Sequence, residues 1–415
     1  MNNTLYDVAV IGAGPAGLIA AGRANELGAK VVLIEKNVRA GEKLSITGGG
    51  RCNITNAELD VRKMVSKYGP KGKALFGAFA RFGVEQTMEF FVNKNLPLKI
   101  EAEKRAFPVS NKAQDVLKVL LKYLGRTEVF YKSPVSKVLV RDGKIEGVVV
   151  KGKTFQAKSY IITTGGKSRP ETGSSGEMLE YLKKAGHTVK ESDPALVPVK
   201  IKDKWVKELQ GLNLKEVGLT IFQDNKKQES RVGKMLFTHF GISGPLVLNM
   251  SKSIAELFKY GPVTLELDLF PLLDIFSLDR KILESVNNSL NKKLRNMLGE
   301  IVAPKFILPL LELAGIDSEK EANSLTKQER SLLAKKIKTL PMTVEGFLGV
   351  EKAIITSGGV SLKEVDFKTM RSKVFSNLYL AGDILDFDRP SGGFSLQICW
   401  TTGYLAGENA ATLLS

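Results

Sequence analysis

The stretch from Asp7 to Glu35 constrains the fold more than any other part of the chain. It begins with an apolar, β-branched run, Val8–Ile11, of the length expected for a buried parallel strand. Glycines at the spacing G-x-G-x-x-G follow in IGAGPAG, residues 11–17, and precede an Ala-rich helical segment and a second apolar strand. Glu35 closes that strand about twenty residues beyond the glycines, which is the order of a dinucleotide-binding βαβ unit.

Each glycine of this unit has a predicted role. Gly12 permits the tight turn, Gly14 lets a pyrophosphate approach the backbone, and Gly17 lets the helix pack against the strand. The positive end of the helix attracts phosphates, and the Glu35 carboxylate can accept hydrogen bonds from an adenosine ribose. Because an acid there disfavours a 2′-phosphate, the predicted nucleotide is FAD or NAD. The predicted contacts at the turn are Gly12, Ala13, Gly14, Pro15, Ala16 and Gly17.

Composition narrows the class of protein. The chain has 415 residues, enough for two or three domains, and its net charge is +17. The lysines are dispersed without a block of five like charges, so a solvated surface that favours anionic ligands is preferred over a nucleic-acid surface. Two cysteines and no leader or membrane-spanning pattern predict a cytoplasmic protein. We expect a small-molecule substrate, no membrane or nucleic-acid partner and no metal site; the oligomeric state stays open.

The polar segment 36–56, KNVRAGEKLSITGGGRCNITN, contains three consecutive glycines. Such a loop lets the backbone approach a flat or phosphorylated ligand closely. Flavin disulfide reductases carry Cys-x4-Cys in about this place, but only Cys52 is present, so it is predicted to pack near the cofactor. The basic side chains expected along a pyrophosphate are Lys36, Lys43 and Arg51.

Antiparallel strands are predicted in the middle of the chain. Asp142-Gly143 lies between two alternating runs, which is a strong hairpin signal. We expect the resulting meander to be an insertion that covers the parallel sheet, which Tyr160–Thr163 then rejoins. Short alternating strands from Leu196 to Gln223 predict a small β domain, and a helical unit follows in which Asp279–Ile301 is one helix. Ser243-Gly244-Pro245 is predicted to begin a helix, either as an ordinary capped end or as an anion site.

The C-terminal segment is predicted to complete the first domain. Leu378–Ala381 has the composition of a buried strand and ends in Gly382-Asp383. Gly392-Gly393 then opens a helix, Phe394–Leu413. Its free N–H groups and positive dipole end would stabilise negative charge on a flavin ring.

Together these motifs resemble one flavoprotein family, which includes aminoacetone oxidase and a bile-acid dehydro-reductase, within the two-dinucleotide-binding-domain flavoprotein superfamily. The resemblance implies an α/β fold: a discontinuous Rossmann-like FAD-binding domain with an inserted β-barrel domain and a helical subdomain. Many relatives have Glu where this chain has Asp383. The matching pieces are IGAGPAG (11–17), KLSITGGGRCNITN (43–56), TTGGKSRPETGSSG (163–176), ALVPVK (195–200), LFTHFGISGP (236–245), ITSGGVSLKEV (355–365) and LYLAGDILDFDRPSGGFSLQICWTTGYLAG (378–407).

The resemblance also implies a cofactor, non-covalent FAD, and a set of contacts with it. Glu35 would bind the adenosine ribose, Val135 would contact adenine through its backbone, and Asp383 would lie on the ribitol–phosphate side. The remaining implied contacts are Lys43, Thr47, Gly48, Gly49, Arg51, Cys52, Asn53, Thr164, Gly165, Gly382, Gly393, Phe394, Ser395 and Leu396. The implied domain segments are 1–192 and 356–415 (FAD), 193–274 and 341–355 (barrel) and 275–340 (helical).

The predicted function is that of an FAD-dependent oxidoreductase. Only one G-x-G-x-x-G occurs, so a dedicated NAD(P)H domain is not expected. Hydride would pass between flavin N5 and a small amine, ketone or enone, or a transiently bound NAD(P)H. His239 is the leading acid/base residue because histidine titrates near neutrality, and His187 ranks lower. The alternative, suggested by the charge of +17, is an RNA-associated flavoprotein related to tRNA-modifying flavoenzymes.

Overall fold

The computed structural model describes residues 5–289, 291–348 and 355–412. The strands are β1 (Leu5–Ile11), β2 (Val31–Ile34), β3 (Thr55–Asn56), β4 (Leu98–Glu101), β5 (Arg105–Pro108), β6 (Glu128–Phe130), β7 (Val135–Arg141), β8 (Lys144–Val150), β9 (Lys153–Ile162), β10 (Val189–Ala195), β11 (Val199–Ile201), β12 (Asn213–Gln223), β13 (Lys226–Thr238), β14 (Gly241–Ser243), β15 (Thr264–Asp268), β16 (Leu340–Phe347), β17 (Ile355–Val360), β18 (Val365–Asp366), β19 (Arg371–Ser372) and β20 (Leu378–Leu380). The helices are α1 (Pro15–Glu26), α2 (Glu42–Ile46), α3 (Val61–Ser66), α4 (Phe76–Arg81), α5 (Val84–Asn93), α6 (Ala113–Tyr123), α7 (Glu177–Lys184), α8 (Lys204–Glu208), α9 (Pro245–Phe258), α10 (Ile275–Asn287), α11 (Leu294–Leu298), α12 (Pro304–Ala314), α13 (Lys327–Lys338) and α14 (Phe394–Thr412).

The described chain divides into two compact units. The first combines residues 1–194 with 354–415, and the second is residues 195–353. The first unit is built on a sheet with the strand order β18-β19-β20-β9-β1-β2-β6. Its strands from β20 to β6 run parallel, and β1 and β2 are almost entirely buried, as their unbroken apolar runs require.

One long strand corrects the predicted meander. The strands β7 and β8 do form an antiparallel hairpin, but β8 pairs with the beginning of β9. The rest of β9 pairs in parallel with β1 and β20. The meander is therefore an extension of the parallel sheet through a shared strand. A ten-residue β-strand is long enough to take part in two ladders, so the hairpin and the parallel sheet share it.

The two ends of the chain meet within the first unit. Helix α14 packs against α1 at very short distance, because a Cβ on Gly403 would lie 2.4 Å from the carbonyl oxygen of Ala16. One turn further, a Cβ on Gly407 would lie 2.2 Å from the carbonyl oxygen of Ala20. The FAD-type fold is thus discontinuous in sequence, as the family resemblance implied.

The second unit is a closed antiparallel barrel with helices packed on it. The barrel order is β11-β14-β13-β12-β15-β16, and the last strand returns to pair with the first. Barrel and helices share one hydrophobic core, in which Phe237 packs against Phe306 of α12. The single helix predicted over 279–301 is instead α10 and α11, which are separated by a stretch rich in Asn and Ser, residues that favour caps and turns.

Neither a membrane-spanning helix nor a metal-binding cluster occurs among the described residues. None of the helices described has both the length and the apolarity needed to span a bilayer. Within the same residues, no group of three or more His, Cys, Asp or Glu side chains is arranged to hold a metal ion.

Candidate functional site

The turn after β1 is shaped for close backbone contact with a ligand. Gly12 has φ +100, and a Cβ there would lie 2.9 Å from the carbonyl oxygen of Thr163, so only glycine fits. Gly17 lies beneath the turn, where a Cβ would lie 1.8 Å from the carbonyl oxygen of Gly12. In contrast, a Cβ on Gly14 would have no heavy atom within 4 Å. Gly14 precedes α1, so the first N–H groups of that helix open onto free space.

The carboxylate of Glu35 is fixed just after β2. Its Oε2 accepts a hydrogen bond from the backbone N–H of Ala13 at 2.6 Å, and its Oε1 accepts one from that of Asn37 at 2.8 Å. Glu35 is 8% exposed, and each carboxylate oxygen has a second lone pair. The carboxylate can therefore accept the hydroxyl groups of a ligand without changing its own position.

A groove runs past this turn in the first unit; the space inside it, including the part open to solvent, is about 960 Å³. The side chains of Lys36 and Lys43 place two positive charges in the lining, which also contains acidic side chains. The predicted contacts that line it are Gly12, Ala13, Gly14, Pro15, Ala16, Glu35, Lys36, Lys43, Val135, Thr164, Gly165 and Asp383.

Polar groups hold the two lysines in place. Lys36 Nζ donates to Ser175 Oγ at 2.8 Å, and Lys43 Nζ donates to Ser168 Oγ at 3.0 Å. Loss of hydration on burial lowers the pKa of the Lys43 ammonium. An anionic ligand next to Lys43 would oppose that shift and be attracted by the charge.

The groove contains polar atoms and open space that fit a dinucleotide. Thr164 Oγ1 is buried and has no hydrogen-bond partner among the described residues, so a ligand group can satisfy it. The open position at Gly14, the fixed Glu35 carboxylate and the two lysines supply donors and acceptors at separate points along the groove. These residues fit FAD, which is long, anionic in its middle and rich in hydroxyl groups.

The groove lining also includes residues from the C-terminal segment. Asp383 Oδ1 accepts a hydrogen bond from Ser395 Oγ at 3.2 Å and lies 3.5 Å from Nε of the buried Arg389. Cys399 of α14 lines the same groove, and burial raises the pKa of its thiol well above the ordinary value. The thiol is therefore neutral and has no thiolate to act as a nucleophile.

Arg51 lies outside the groove lining, although its position in the sequence suggested a pyrophosphate partner. Its guanidinium donates to Asn111 Oδ1 at 2.7 Å, pairs with Glu101, and lies over the ring of Phe107 with 4.0 Å between Cζ and the ring centroid. Cys52 is buried with φ +60, and burial raises its pKa to about 12. These contacts fix the glycine-rich loop from its outer side.

Two other predicted contacts outside the lining, Gly393 and Phe394, pack closely against neighbouring elements. A Cβ on Gly393 would lie 2.4 Å from the carbonyl carbon of Thr55, so α14 begins directly against β3. Phe394 packs its ring against that of Tyr68, with 5.9 Å between the centroids. The predicted cofactor contacts that do not line the groove are Gly17, Thr47, Gly48, Gly49, Arg51, Cys52, Asn53, Gly382, Gly393, Phe394, Ser395 and Leu396.

A second small-residue loop lines the groove and was not predicted as part of the site. The signal was present as TGSSG, residues 172–176, with positive φ at Gly173 and Gly176 just before α7. It has the same pattern of small residues before a helix as the turn after β1. The polar or small lining residues that sequence reasoning missed are Asn37, Arg39, Gly41, Glu42, Ser133, Thr163, Thr172, Gly173, Ser174, Ser175, Gly176, Glu177 and Cys399.

The two histidines have different surroundings. His239 is exposed in the tight connection between β13 and β14, where its ring contacts that of Phe240 with 4.9 Å between centroids. His187 is buried, with Nδ1 2.8 Å from Glu364 Oε2 and Nε2 3.1 Å from Ser372 Oγ. Both ring nitrogens of His187 are therefore engaged in structural contacts, whereas His239 is open to solvent in its own unit.

Comparison with known proteins decides the family. A family model described as the HI0933-like protein Rossmann domain matches residues 6–409. The chain belongs to the HI0933-like family. Members of this family lie within the FAD-binding flavoprotein superfamily, and the chain is an oxidoreductase.

Two curated proteins are similar to this HI0933-like chain over nearly its whole length. The 3-dehydro-bile acid delta(4,6)-reductase of Clostridium scindens is 30% identical over 413 residues, which cover 97% of this chain and 98% of the reductase. The ribosomal RNA dihydrouridine synthase of Haemophilus influenzae is 28% identical, with 95% of this chain and 96% of the synthase covered.

A solved structure shows the same fold at low identity. The 3-ketosteroid-delta4-(5alpha)-dehydrogenase of Rhodococcus jostii RHA1 superimposes with a TM-score of 0.53 and 15% identity, covering 99% of this chain and 97% of that chain. At this identity the similarity concerns the fold alone.

Proposed function

We propose that this HI0933-like protein binds FAD non-covalently in the groove and reduces a carbon–carbon double bond conjugated to a carbonyl group in a small molecule. The observation that carries the proposal is its 30% identity, along nearly all of both chains, to a reductase named for the delta(4,6) bonds of a 3-dehydro bile acid. Those bonds are conjugated to the 3-keto group. The name dihydrouridine synthase implies saturation of a double bond that is likewise conjugated to a carbonyl, in uracil. The chemistry common to both names is reduction of an enone-type bond.

The groove residues would bind the cofactor by complementary charge and hydrogen bonding. The turn Gly12–Ala16 and the N-terminus of α1 would hold the pyrophosphate, with Lys36 and Lys43 neutralising its charge. Glu35 would accept the ribose hydroxyls, and Asp383 would accept those of the ribityl chain. When bound, FAD supplies hydride chemistry at N5.

Reduction of an enone also requires a proton donor. Hydride added at the β-carbon leaves negative charge on the carbonyl oxygen, and the α-carbon must then take up a proton. We assign that proton to His239, because its imidazole is exposed and can act as a general acid while both nitrogens of His187 are engaged. His239→Asn should slow reoxidation of the reduced protein by the enone. The rate of FAD reduction by the electron donor should stay unchanged.

An anaerobic experiment tests the reaction class. The purified yellow protein is mixed with NADH, NADPH or aminoacetone, and loss of flavin absorbance identifies the electron donor. The reduced protein is then mixed with a 3-keto-4-ene steroid acid or with its saturated 3-keto counterpart, which differs only in the double bond. We expect rapid reoxidation by the enone and none by the saturated ketone.

Other results would assign a different function. Bleaching by aminoacetone followed by reoxidation only in air would indicate an amine oxidase. Reoxidation by ribosomal RNA but not by the steroid acid, with RNA binding that weakens steeply with salt, would indicate the RNA-associated alternative. A protein that takes up no FAD would refute the proposal altogether.

A further inference from the structure

The side chain of Arg389 is fully buried, at 0% exposure, in the segment between β20 and α14. Nη2 donates a hydrogen bond to the carbonyl oxygen of Leu385 at 2.6 Å, which fixes the guanidinium from one side. Nε and Nη1 have no hydrogen-bond partner among the described residues. The nearest carboxylate is Asp383, with 3.5 Å between Oδ1 and Nε, which makes an ion pair but no hydrogen bond. Two donors of a buried cation therefore have no partner among the described residues, and Arg389 lies behind Asp383 of the groove lining without being part of that lining itself.

Neighbouring acids do not neutralise this charge. Asp386 is 2% exposed, and its two oxygens lie 2.7 Å from Lys71 Nζ and 3.1 Å from Lys190 Nζ. Asp383 therefore pairs with Arg389 and also lines the groove. Lys43 lines the groove as well. We call Lys43, Asp383 and Arg389 the Arg389 cluster. It holds two cations and one anion, and two of its members, Lys43 and Asp383, line the groove.

A buried guanidinium with unpaired donors is unfavourable unless a ligand or a developing charge meets it. A negatively charged ligand suits these donors, because the three groups of the cluster include more cations than anions. The ligand must also lie near Asp383, which lines the groove together with the Glu35 carboxylate that would bind adenosine ribose. With the adenosine at Glu35 and the ribityl chain at Asp383, as proposed above, the flavin ring would lie next to Asp383.

The chemistry of FAD identifies the anion. Two electrons and one proton convert the oxidised ring into the monoanion FADH⁻, whose charge is concentrated at N1 and the C2 carbonyl. We propose that Arg389 is the residue that stabilises this charge and thereby sets the reduction potential of the bound flavin. The inference rests on the proposed binding of FAD but assigns a residue that no motif in the sequence identified.

The test compares Arg389→Met, which removes the charge at similar length, with Arg389→Lys, which keeps it. Lys190→Met is the control, because Lys190 is a cation of the same neighbourhood that is paired with Asp386 and half exposed. Each purified protein is loaded with FAD. The measurements are the midpoint potential by equilibration with a reference dye, the dissociation constant of oxidised FAD, and the affinity for sulfite. Sulfite adds to N5 of oxidised flavin and places negative charge on N1 and the C2 carbonyl, so its affinity reports on positive charge there.

For Arg389→Met we expect the preference for reduced over oxidised FAD to fall about tenfold or more, a decrease of roughly 30 mV or more in midpoint potential. Sulfite affinity should fall in parallel. Arg389→Lys should retain most of both properties, and Lys190→Met should match the wild type. Thermal unfolding of each apoprotein shows whether the variants fold.

Two results would overturn the assignment. One is an Arg389→Met protein with the wild-type potential and sulfite affinity. The other is equal weakening of oxidised and reduced FAD binding, which would make Arg389 a structural residue only. If Arg389→Met does not fold, the test depends on Arg389→Lys, which keeps the charge. A fall in the sulfite affinity of Arg389→Lys as large as the one expected for Arg389→Met would then refute a role of the charge. A wild-type protein that binds no FAD would refute the proposed function instead, so the two failures are distinguishable.

Discussion

Replacing Glu35 by Gln tests whether this carboxylate binds the nucleotide. The two side chains have the same shape, but their hydrogen-bonding capacity differs. The two oxygens of the carboxylate accept hydrogen bonds from Ala13 N–H and Asn37 N–H, whereas the amide has only one acceptor oxygen. One of these buried N–H groups must therefore lose its partner, which costs about 1–3 kcal/mol of folding free energy. A ribose hydroxyl bound to the carboxylate would lose a charge-assisted hydrogen bond of about 1.5–3 kcal/mol, so the dissociation constant of FAD should rise roughly ten- to a hundredfold.

The assay is a fluorescence titration of the apoprotein with FAD, combined with thermal unfolding. Glu128→Gln is the matched control: Glu128 Oε2 accepts a hydrogen bond from Tyr6 Oη at 2.8 Å in the same sheet, but this carboxylate does not line the groove. The control should lose some stability and keep the wild-type affinity for FAD. A Glu35→Gln protein that binds FAD within about twofold of the wild type would refute the role of Glu35, since the loss of a single ribose hydrogen bond exceeds that difference.

Three further predictions concern stability and reactivity. Gly393→Ala should lower the melting temperature by several degrees, because the Cβ would clash with backbone at a φ of +99; Gly49→Ala, also at positive φ but with open space, should cost much less. The thiols of Cys52 and Cys399 should react with a disulfide reagent only after unfolding, since burial raises the pKa of both and keeps them protonated; fast reaction of the native protein would contradict this. Hydrogen bonds from Lys320 and Thr326 lower the pKa of Glu329 from 4.5 to about 2. The ionised carboxylate therefore contributes fully to the stability of the folded protein above pH 4.5, and this contribution is lost as the pH falls through 2. Glu329→Gln should flatten this part of an acid-unfolding curve.

The parts of the site that could be predicted from the sequence are those encoded locally. The turn after β1 and the Glu35 carboxylate follow from a short pattern, because strand, glycines, helix and acid lie within one βαβ unit. The placement of Arg51 could not be predicted in this way. Its side chain pairs with Glu101 and covers Phe107, which lie about fifty residues away in sequence and meet it only through the small β3-β5-β4 sheet.

The meander shows the same limit at the level of strands. Tyr160–Thr163 was correctly identified as part of the parallel sheet, but its continuity with the residues before it depends on ladders formed with β8 and with β1. A partner as far away in the chain as β1 is not specified by the strand's own sequence.

The segment from 382 to 412 contains two kinds of buried polar side chain. Some are hydrogen-bonded within the protein and maintain the fold, whereas others have unpaired donors that a ligand could bind. Gln397 accepts a hydrogen bond from Thr55 Oγ1 at 2.6 Å and donates to Thr87 Oγ1 at 2.8 Å and Thr401 Oγ1 at 3.0 Å, so its amide is paired on all sides. Buried networks of this kind, when complete, rigidify the helix end that they contact. Among the described residues of this segment, the buried side-chain nitrogens and oxygens that lack a hydrogen bond are Nε and Nη1 of Arg389. Since the other buried polar side chains described in this segment have partners, these two donors are better explained by a ligand than by loose packing, and the hydrogen bond from Nη2 to Leu385 would hold them ready for it before the flavin is reduced.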